Sequence, residues 1–354
     1  MDNIIRIRES LQRSDFDAIL LTSPVNRFFA TGFESSAGAL LILRDDAWFF
    51  TDSRYIEAAE AAIKNARVQL VTKDAPYARL IDSLLHDNAC DSAGFEDGSV
   101  TYSAYLEWEE KLNVKLVPAQ DLINDLRSVK SYDELAKMKK AQKIAEKSFA
   151  ELLPMVSGGI TEKQLAAELM YLLLKNGADD KSFDPIIVSG EKSSMPHGVP
   201  GDRVIGNGFL TIDFGARLDG WCSDTTRTLC VGNPTDEMIN VYDTVLRAQE
   251  AGIAAARAGV RGCDVDAAAR TVIEDSGYGA FFGHGFGHGL GLEVHEFPTA
   301  SQTYKDALPA GAVISAEPGI YLPGRFGVRI EDVICITDKG SENITDIDKK
   351  LIIL

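Results

Sequence analysis

The chain has 354 residues, of which 45% are hydrophobic, and its 36 basic and 53 acidic side chains give a formal charge of −17. This length and composition predict two folded domains, and the negative charge argues against a nucleic-acid partner. The sequence lacks an apolar run of the roughly 20 residues that a membrane span needs, so we expect no membrane partner. Its polar start predicts no secretory signal. Five cysteines without a CxxC pair argue against disulfides and thiolate zinc sites and indicate a cytoplasmic location.

Residues 1–128 alternate between helical and strand patterns and predict an α/β domain. Apolar residues at helical spacing and polar breaks indicate helices over 2–13, 54–66 and 101–112. Short apolar segments indicate strands at 18–21, 39–43 and 47–51. The polar tripeptide Arg44-Asp45-Asp46 between the last two strands predicts a hairpin.

Residues 129–354 are predicted to form the second domain, which begins at a capping box, Ser131-Tyr132-Asp133-Glu134. Further helices are expected from Thr161 to Gly177, over 236–257 and over 264–275. Two strand-rich segments, 209–231 and 312–337, each have the pattern strand, turn, strand. Helices followed by a hairpin, twice over, predict an α+β domain with an internal duplication.

Each predicted hairpin carries two carboxylates within apolar strands. Asp213 and Asp224 lie eleven positions apart in the first hairpin, and Glu317 and Glu331 lie fourteen apart in the second. With a turn near 217–220, the two aspartates can face each other across neighbouring strands. Burying one unpaired carboxylate costs several kcal/mol, so four of them predict bound cations, with Arg329 as the alternative partner of one.

The histidines lie in glycine-flanked segments. His284, His288 and His295 fall within HGFGHGLGLEVHE, and His197 lies in MPHGVP. A single histidine is usually structural, but three in one glycine-rich segment beside four strand carboxylates favour a metal site. Two Asp, two Glu and a His suit a pair of divalent ions such as manganese, cobalt, iron or zinc. Water bound to such ions loses a proton near neutral pH, which predicts metal-assisted hydrolysis.

The sequence resembles the pita-bread metallopeptidases, the creatinase, prolidase and aminopeptidase P family, in four motifs that occur in the family's order: TIDFGARLDGWCSDTTRT, HGFGHGLGLEVHE, AEPGIY and GVRIED. A looser similarity to the creatinase-type N-terminal domain is found in NRFFATGF and TDSRY. The resemblance implies a creatinase-type α/β domain in 1–128 and a pita-bread catalytic domain with pseudo-twofold duplication in 129–354. It also implies a homodimer formed through the N-terminal domain.

The resemblance further implies roles for individual residues. Five would bind two metal ions, most readily manganese: Asp213, Asp224, His288, Glu317 and Glu331. Of these, Asp224 and Glu331 would bridge the ions, and Glu317 would carry the proton of the bridging water. His197 and His295 would bind the scissile carbonyl. His284 would lie nearby, and Arg329 would orient Glu331.

Proline-containing peptides cleaved at the Xaa-Pro bond are the substrates that the resemblance implies. This tertiary amide has no N–H, and a metal site needs only its carbonyl oxygen. Compact prolidases often carry an arginine just after HE-x-P for the dipeptide carboxylate, whereas this sequence has Thr299 there. The departure favours an Xaa-Pro aminopeptidase over an Xaa-Pro dipeptidase, with Arg325 as another candidate for the carboxylate. A metal-free binding module is disfavoured, because all five ligands are present.

Overall fold

Residues 2–156 and 159–354 are described by a computed structural model, in which the chain divides into two units, Met1–Arg127 and Ser128–Leu354. The helices of the first unit are α1 Asn3–Leu11, α2 Pro24–Thr31, α3 Ile56–Ala62, α4 Tyr77–Asp87, α5 Tyr102–Lys111 and α6 Gln120–Ser128. Its strands are β1 Ala18–Leu21, β2 Ala39–Leu43, β3 Ala47–Thr51, β4 Arg67–Leu70, β5 Ser92–Phe95 and β6 Lys115–Pro118. Every helix and strand predicted here from the sequence is confirmed.

These strands form one sheet in the order β4-β3-β2-β1-β5-β6. The predicted hairpin joins β2 and β3, which are antiparallel. β2 is also antiparallel to β1, and the other neighbouring pairs are parallel. Buried Ile4, Ile7 and Leu11 face inward from α1, as their spacing predicts. The first unit is therefore an α/β domain with its own core.

The second unit repeats one arrangement, two helices followed by a long hairpin. The first half contains α7 Tyr132–Leu152, α8 Glu162–Lys175, β7 Asp180–Lys181, β8 Ile186–Ser189, β9 Gly208–Phe214, β10 Ala216–Leu218, β11 Trp221–Cys222 and β12 Thr225–Val231. The second half contains α9 Asp236–Ala255, α10 Gly262–Asp275, β13 Gly287–Gly289, β14 Glu296–Ala300, β15 Val313–Ala316, β16 Gly319–Leu322, β17 Phe326–Arg329, β18 Asp332–Thr337 and β19 Gly340–Asn343. The predicted α+β duplication is confirmed, as is the capping box at the start of α7, with both of its hydrogen bonds.

Each long hairpin is broken at one level into two shorter antiparallel pairs. In the first, β9 pairs with β12 and β10 with β11. In the second, β15 pairs with β18 and β16 with β17. The sequence predicted one continuous hairpin in each case. At the first break the two strands of the hairpin approach so closely that a Cβ added to Gly215 would lie 1.9 Å from the carbonyl oxygen of Ser223.

Aromatic side chains next to the predicted site residues fix these segments in the core. Phe214, which follows Asp213, stacks on Phe149 of α7 with ring centroids 5.5 Å apart. Phe286 is fully buried between His284 and His288 in the chain, against α9. Burying such a side chain stabilises the fold by about 1.5–3 kcal/mol, so the segments that carry site residues are held rigidly. Among the helices of the described ranges, none combines the length and apolar character that a membrane crossing requires.

Candidate metal centre

The four predicted carboxylate ligands lie at the two hairpin breaks. Asp213 is near the end of β9 and Asp224 directly precedes β12. Glu317 directly follows β15 and Glu331 directly precedes β18. The sequence predicted that the two aspartates can face each other across neighbouring strands. The strand register instead pairs Asp213 with Thr226, so Asp213 and Asp224 are not directly opposite each other. Because three of the carboxylates lie outside the strand ladders, side chains of both hairpins can converge.

Asp224, His288 and Glu331 form the closest group, with one ligand atom from each within 4.8 Å of the others. Asp213, Asp224 and Glu331 each have one buried oxygen without a hydrogen-bond partner in the described structure. Such oxygens are costly unless something binds them. Carboxylate oxygens with an imidazole nitrogen are a suitable donor set for divalent ions such as manganese, cobalt, iron or zinc. The residues present therefore fit a divalent metal site.

His288 is oriented by contacts at both ring nitrogens. Its Nδ1 lies 3.1 Å from the carbonyl oxygen of Gly289, and its Nε2 lies 3.1 Å from Oε1 of Glu317 and 3.7 Å from Oδ2 of Asp224. Its backbone N–H donates to Oγ of Ser315, whose hydroxyl donates to Oε1 of Glu317. Without a metal, a protonated Nε2 donates to Glu317. Loss of that proton, with the other kept on Nδ1, would leave the Nε2 lone pair facing the carboxylates, which is the tautomer that a metal-binding imidazole requires.

The pKa values of the carboxylates are shifted by burial and by the charges of their neighbours. Burial, and then the negative charge of their neighbours, raises the pKa of Asp224 and of Glu331 well above the ordinary values. Burial acts in the same direction on Glu317, but the hydrogen bond and charge of His288 outweigh it and lower the pKa of Glu317 to about 2. A cation bound among these groups favours their ionised forms.

Arg329 is bonded to one carboxylate directly and to another through a threonine. Its Nη2 donates to Oδ2 of Asp213 at 2.5 Å, and its Nε donates to Oγ1 of Thr226 at 3.1 Å. The Thr226 hydroxyl in turn donates to Oε2 of Glu331 at 2.8 Å. Arg329 therefore contacts Asp213 directly and Glu331 only through Thr226, which differs from its predicted role as the orienting partner of Glu331.

His284 is bonded at both ring nitrogens. Arg329 Nη1 donates to the Tyr321 hydroxyl at 2.9 Å, so the hydroxyl directs its own proton to Nε2 of His284, also 2.9 Å away. The Nδ1 of His284 lies 2.9 Å from the carbonyl oxygen of Gly285 and is thereby assigned as a donor. Burial lowers the pKa of His284. These contacts hold a neutral ring whose nitrogens are both occupied.

His197 and His295 are exposed on the wall of a cavity of about 880 Å³. All nine predicted site residues line this cavity: His197, Asp213, Asp224, His284, His288, His295, Glu317, Arg329 and Glu331. The His295 ring lies edge-to-face on His288 with centroids 4.3 Å apart. Burial, and then the charge of a protonated His288, lower the pKa of His295. The structure thus brings the whole predicted set to one cavity.

Three residues of the site were not predicted from the sequence: Thr226, Ser315 and Tyr321. Thr226 lies two residues after Asp224, and this spacing along a strand indicates a shared face, so it could have been found. Ser315 lies two residues before Glu317 and carries the same signal, whereas the hydroxyl of Tyr321 carries none. Arg325, the predicted alternative binder of a substrate carboxylate, donates to Glu237, and the cavity wall in the described part of the chain does not include it.

Comparisons with known proteins agree across both units. The model described as Metallopeptidase family M24 matches residues 136–338, and the Creatinase/Prolidase N-terminal domain matches residues 4–129. An Xaa-Pro dipeptidase of Pyrococcus furiosus is 35% identical over 354 residues, 99% of each chain. The structure of an Xaa-Pro dipeptidase from Bacillus anthracis covers 100% of this chain and 99% of its own, with a TM-score of 0.96 and 38% identity. The structure of an X-Pro aminopeptidase from Thermotoga maritima covers 98% of this chain and 100% of its own, with a TM-score of 0.91 and 34% identity.

Proposed function

Because this chain belongs to metallopeptidase family M24 and carries a creatinase/prolidase N-terminal domain, we propose that it hydrolyses the Xaa-Pro bond of proline-containing peptides. The chain has the two-domain pita-bread fold and is a metal-dependent hydrolase. The observation that carries the proposal is the set of buried carboxylate oxygens without hydrogen-bond partners beside His288. These oxygens need cations, and the adjoining cavity has room for a peptide.

We assign five residues as ligands of two divalent ions: Asp213, Asp224, His288, Glu317 and Glu331. On the resemblance to this family, Asp224 and Glu331 would be shared by both ions. Each of them, like Asp213, has an unbonded buried oxygen that a cation would satisfy. Manganese is proposed as the metal, with cobalt, zinc and iron as alternatives. When bound, such ions polarise a carbonyl oxygen and lower the pKa of a water molecule.

Glu317 is proposed to accept the proton of the attacking water and to return it to the proline nitrogen. Ser315 and His288 both bond its Oε1, and within the described residues its Oε2 makes no hydrogen bond. His197 and His295 are proposed to donate hydrogen bonds to the carbonyl oxygen as negative charge develops there. The lowered pKa of His295 keeps a neutral ring at pH 7, which suits a donor that does not repel cations.

An Xaa-Pro aminopeptidase, which accepts longer peptides, is the first candidate branch. Thr299 stands on the cavity wall, at the position after HE-x-P where the resemblance leads one to expect an arginine for a dipeptide carboxylate. Arg325 does not replace that arginine, because it pairs with Glu237. Neither residue 299 nor residue 325 therefore offers a cation to bind the free carboxylate that a dipeptide carries on its proline.

An Xaa-Pro dipeptidase is the second candidate, and Lys163 is the observation that favours it. This exposed lysine lines the cavity, and its backbone N–H donates to Gly201 in the segment that follows His197. Its ammonium has no partner in the described structure, whereas Arg329, the other cation on the wall, is bonded to Asp213 and Tyr321. Lys163 is therefore the cation available to a substrate carboxylate.

The test compares an Xaa-Pro dipeptide, its C-terminal amide and an Xaa-Pro-Yaa tripeptide, with manganese and after chelation. Metal-dependent release of the first residue from any of them supports Xaa-Pro hydrolysis, and no cleavage of any of them refutes it. Cleavage of the tripeptide and the amide supports the aminopeptidase. Cleavage of the dipeptide alone identifies the dipeptidase.

Further features are proposed with the function. The domain boundary is placed between residues 128 and 129, supported by the division of the chain after Arg127 and by family matches that end at 129 and resume at 136. A homodimer is proposed on the resemblance to this family. A cytoplasmic location is proposed on the five cysteines, all of which are free thiols.

A further inference from the structure

A second cavity, also of about 880 Å³, lies in the first unit at the carboxyl ends of β1 and β5. Thr22 and Ser23 follow β1 on its wall, and Ser99–Thr101 follow β5. From β1 the sheet extends through β2 to β4 on one side and through β5 to β6 on the other. The parallel pair β1 and β5 is thus where the strand order reverses, the position at which open α/β sheets leave a ligand-binding crevice.

Arg27 of α2 lies on the wall of this cavity with two unbonded nitrogens. It is 2% exposed, and its Nη2 donates to the carbonyl oxygen of Ser35 at 2.8 Å. Its Nε and Nη1 have no acceptor, and among the described residues no carboxylate lies within ion-pair distance of it. The Nη1 of Arg27 lies beside Gly38, another wall residue, and is 2.7 Å from the position that a Cβ on Gly38 would occupy. A buried cation with unused donors calls for an acceptor.

The N-terminus of α4 provides further donors at the same cavity. Pro76–Arg79 line the wall, and α4 begins at Tyr77. Its N-cap residue is Pro76, which makes no side-chain cap, and the first backbone bond of the helix runs from Leu80 to Pro76. The N–H groups of residues 77–79 therefore have no acceptor within the chain segments described. An uncapped N-terminus of an 11-residue helix attracts negative charge.

The other wall residues define the chemistry of a ligand. Arg79 adds positive charge, whereas the Lys111 ammonium donates to the Glu107 carboxylate at 2.6 Å, so these two wall residues neutralise each other. Tyr77 and Trp108 present aromatic surface. The cavity combines positive charge, free N–H donors and apolar area.

We propose that this cavity binds a small organic anion. Its carboxylate or phosphate group is held by the first turn of α4 and by Arg27, and its apolar part packs against Tyr77 and Trp108. The site lies in the first unit and uses none of the residues assigned to hydrolysis, so it stands whether or not the proposed peptidase activity does.

Calorimetric titration of the full-length protein in chelator tests the proposal with three probes: inorganic phosphate, benzoate and the neutral analogue benzyl alcohol. We expect at least one anion to bind at least ten times more tightly than benzyl alcohol. Binding of phosphate without benzoate identifies phosphate chemistry, and the reverse identifies carboxylate chemistry. Equal binding of all three probes, or no anion binding, overturns the proposal.

Two variants and a matched control locate the site. Arg79→Gln, at an exposed position on the wall, and Arg27→Lys, which keeps the buried charge but removes the guanidinium, should each weaken anion binding at least tenfold. Arg13→Gln, at an exposed position outside the cavity, should leave it unchanged. A change at buried Arg27 can lower the stability of the protein, so Arg79→Gln is the decisive variant. Unfolding curves verify that the Arg79→Gln protein is folded. Anion affinity unchanged by Arg79→Gln refutes the site.

Discussion

Replacing Asp224 by asparagine should stabilise the metal-free protein, although it removes a proposed metal ligand. Asp224 is 4% exposed, its Oδ1 has no partner, and its Oδ2 lies 3.7 Å from His288 Nε2. Burial, and then the charges of Glu331 and its neighbours, raise its pKa well above the ordinary value. In chelator, the ionised carboxylate is therefore a source of instability that the neutral amide lacks.

The magnitude follows from the unsatisfied oxygen. A buried polar group without a partner costs about 1–3 kcal/mol, and more when charged, so we expect Asp224→Asn to raise the unfolding free energy by about 2 kcal/mol. For a unit of this size that is a rise of about 4–8 °C in Tm. Because the folded-state pKa of Asp224 is raised, its contribution to stability is fully present below the unfolded pKa of about 3.9 and is lost as the pH rises through the folded pKa. The advantage of the variant should grow with pH.

Thermal unfolding in chelator and with manganese at several pH values measures this effect. Asp332 provides the control, because it is equally buried but bonded to Arg227 at 2.8 Å and lies 3.2 Å from Lys349. Asp332→Asn leaves buried charges unpaired and should destabilise by about 3–5 kcal/mol. With manganese the wild type should gain stability that Asp224→Asn does not gain. If Asp224→Asn is less stable than the wild type in chelator, the carboxylate repulsion inferred here is refuted.

Three further predictions concern activity and assembly. His295→Ala should retain bound metal, measured by elemental analysis, while kcat falls about 10²-fold or more; loss of the metal would make His295 a ligand. Lys163→Met should lower kcat/KM for an Xaa-Pro dipeptide about tenfold, as expected from losing a charge-assisted hydrogen bond, but not for the Xaa-Pro amide; equal losses on both would exclude carboxylate binding. Light scattering should show a dimer, and a monomer would contradict the proposed assembly.

The site residues could be predicted because charged side chains within apolar segments stand out in the sequence. A carboxylate within an apolar strand needs a cation or an unusual partner, and four of them with clustered histidines in one chain indicate metal. The structure brings all nine predicted residues to one cavity. The bond from Tyr321 to His284 could not be predicted in the same way, because a hydroxyl such as that of Tyr321 is common in strands whether or not it bonds a neighbour.

Long-range geometry accounts for the remaining differences. The apolar pattern of residues 209–231 gave no sign that strand pairing changes at Gly215, since a ladder break depends on which strands lie alongside. Likewise, Arg325 was a reasonable candidate for a substrate carboxylate by its place in the sequence, but its contact with Glu237, 88 positions away, removes it. In the first unit, the cavity with Arg27 depends on a crossover between strands that local patterns do not reveal.

The proposed ligand set joins the two halves of the second unit. Two carboxylates come from each break: Asp213 and Asp224 from the first, Glu317 and Glu331 from the second. The halves already meet here, because the Thr228 hydroxyl donates to the carbonyl oxygen of Arg329 at 2.9 Å and the Glu331 N–H donates to that of Thr226 at 3.1 Å. Cations bound between the carboxylates would hold together two strand pairs whose own negative charges repel. Metal binding and the stability of the second unit should therefore rise together.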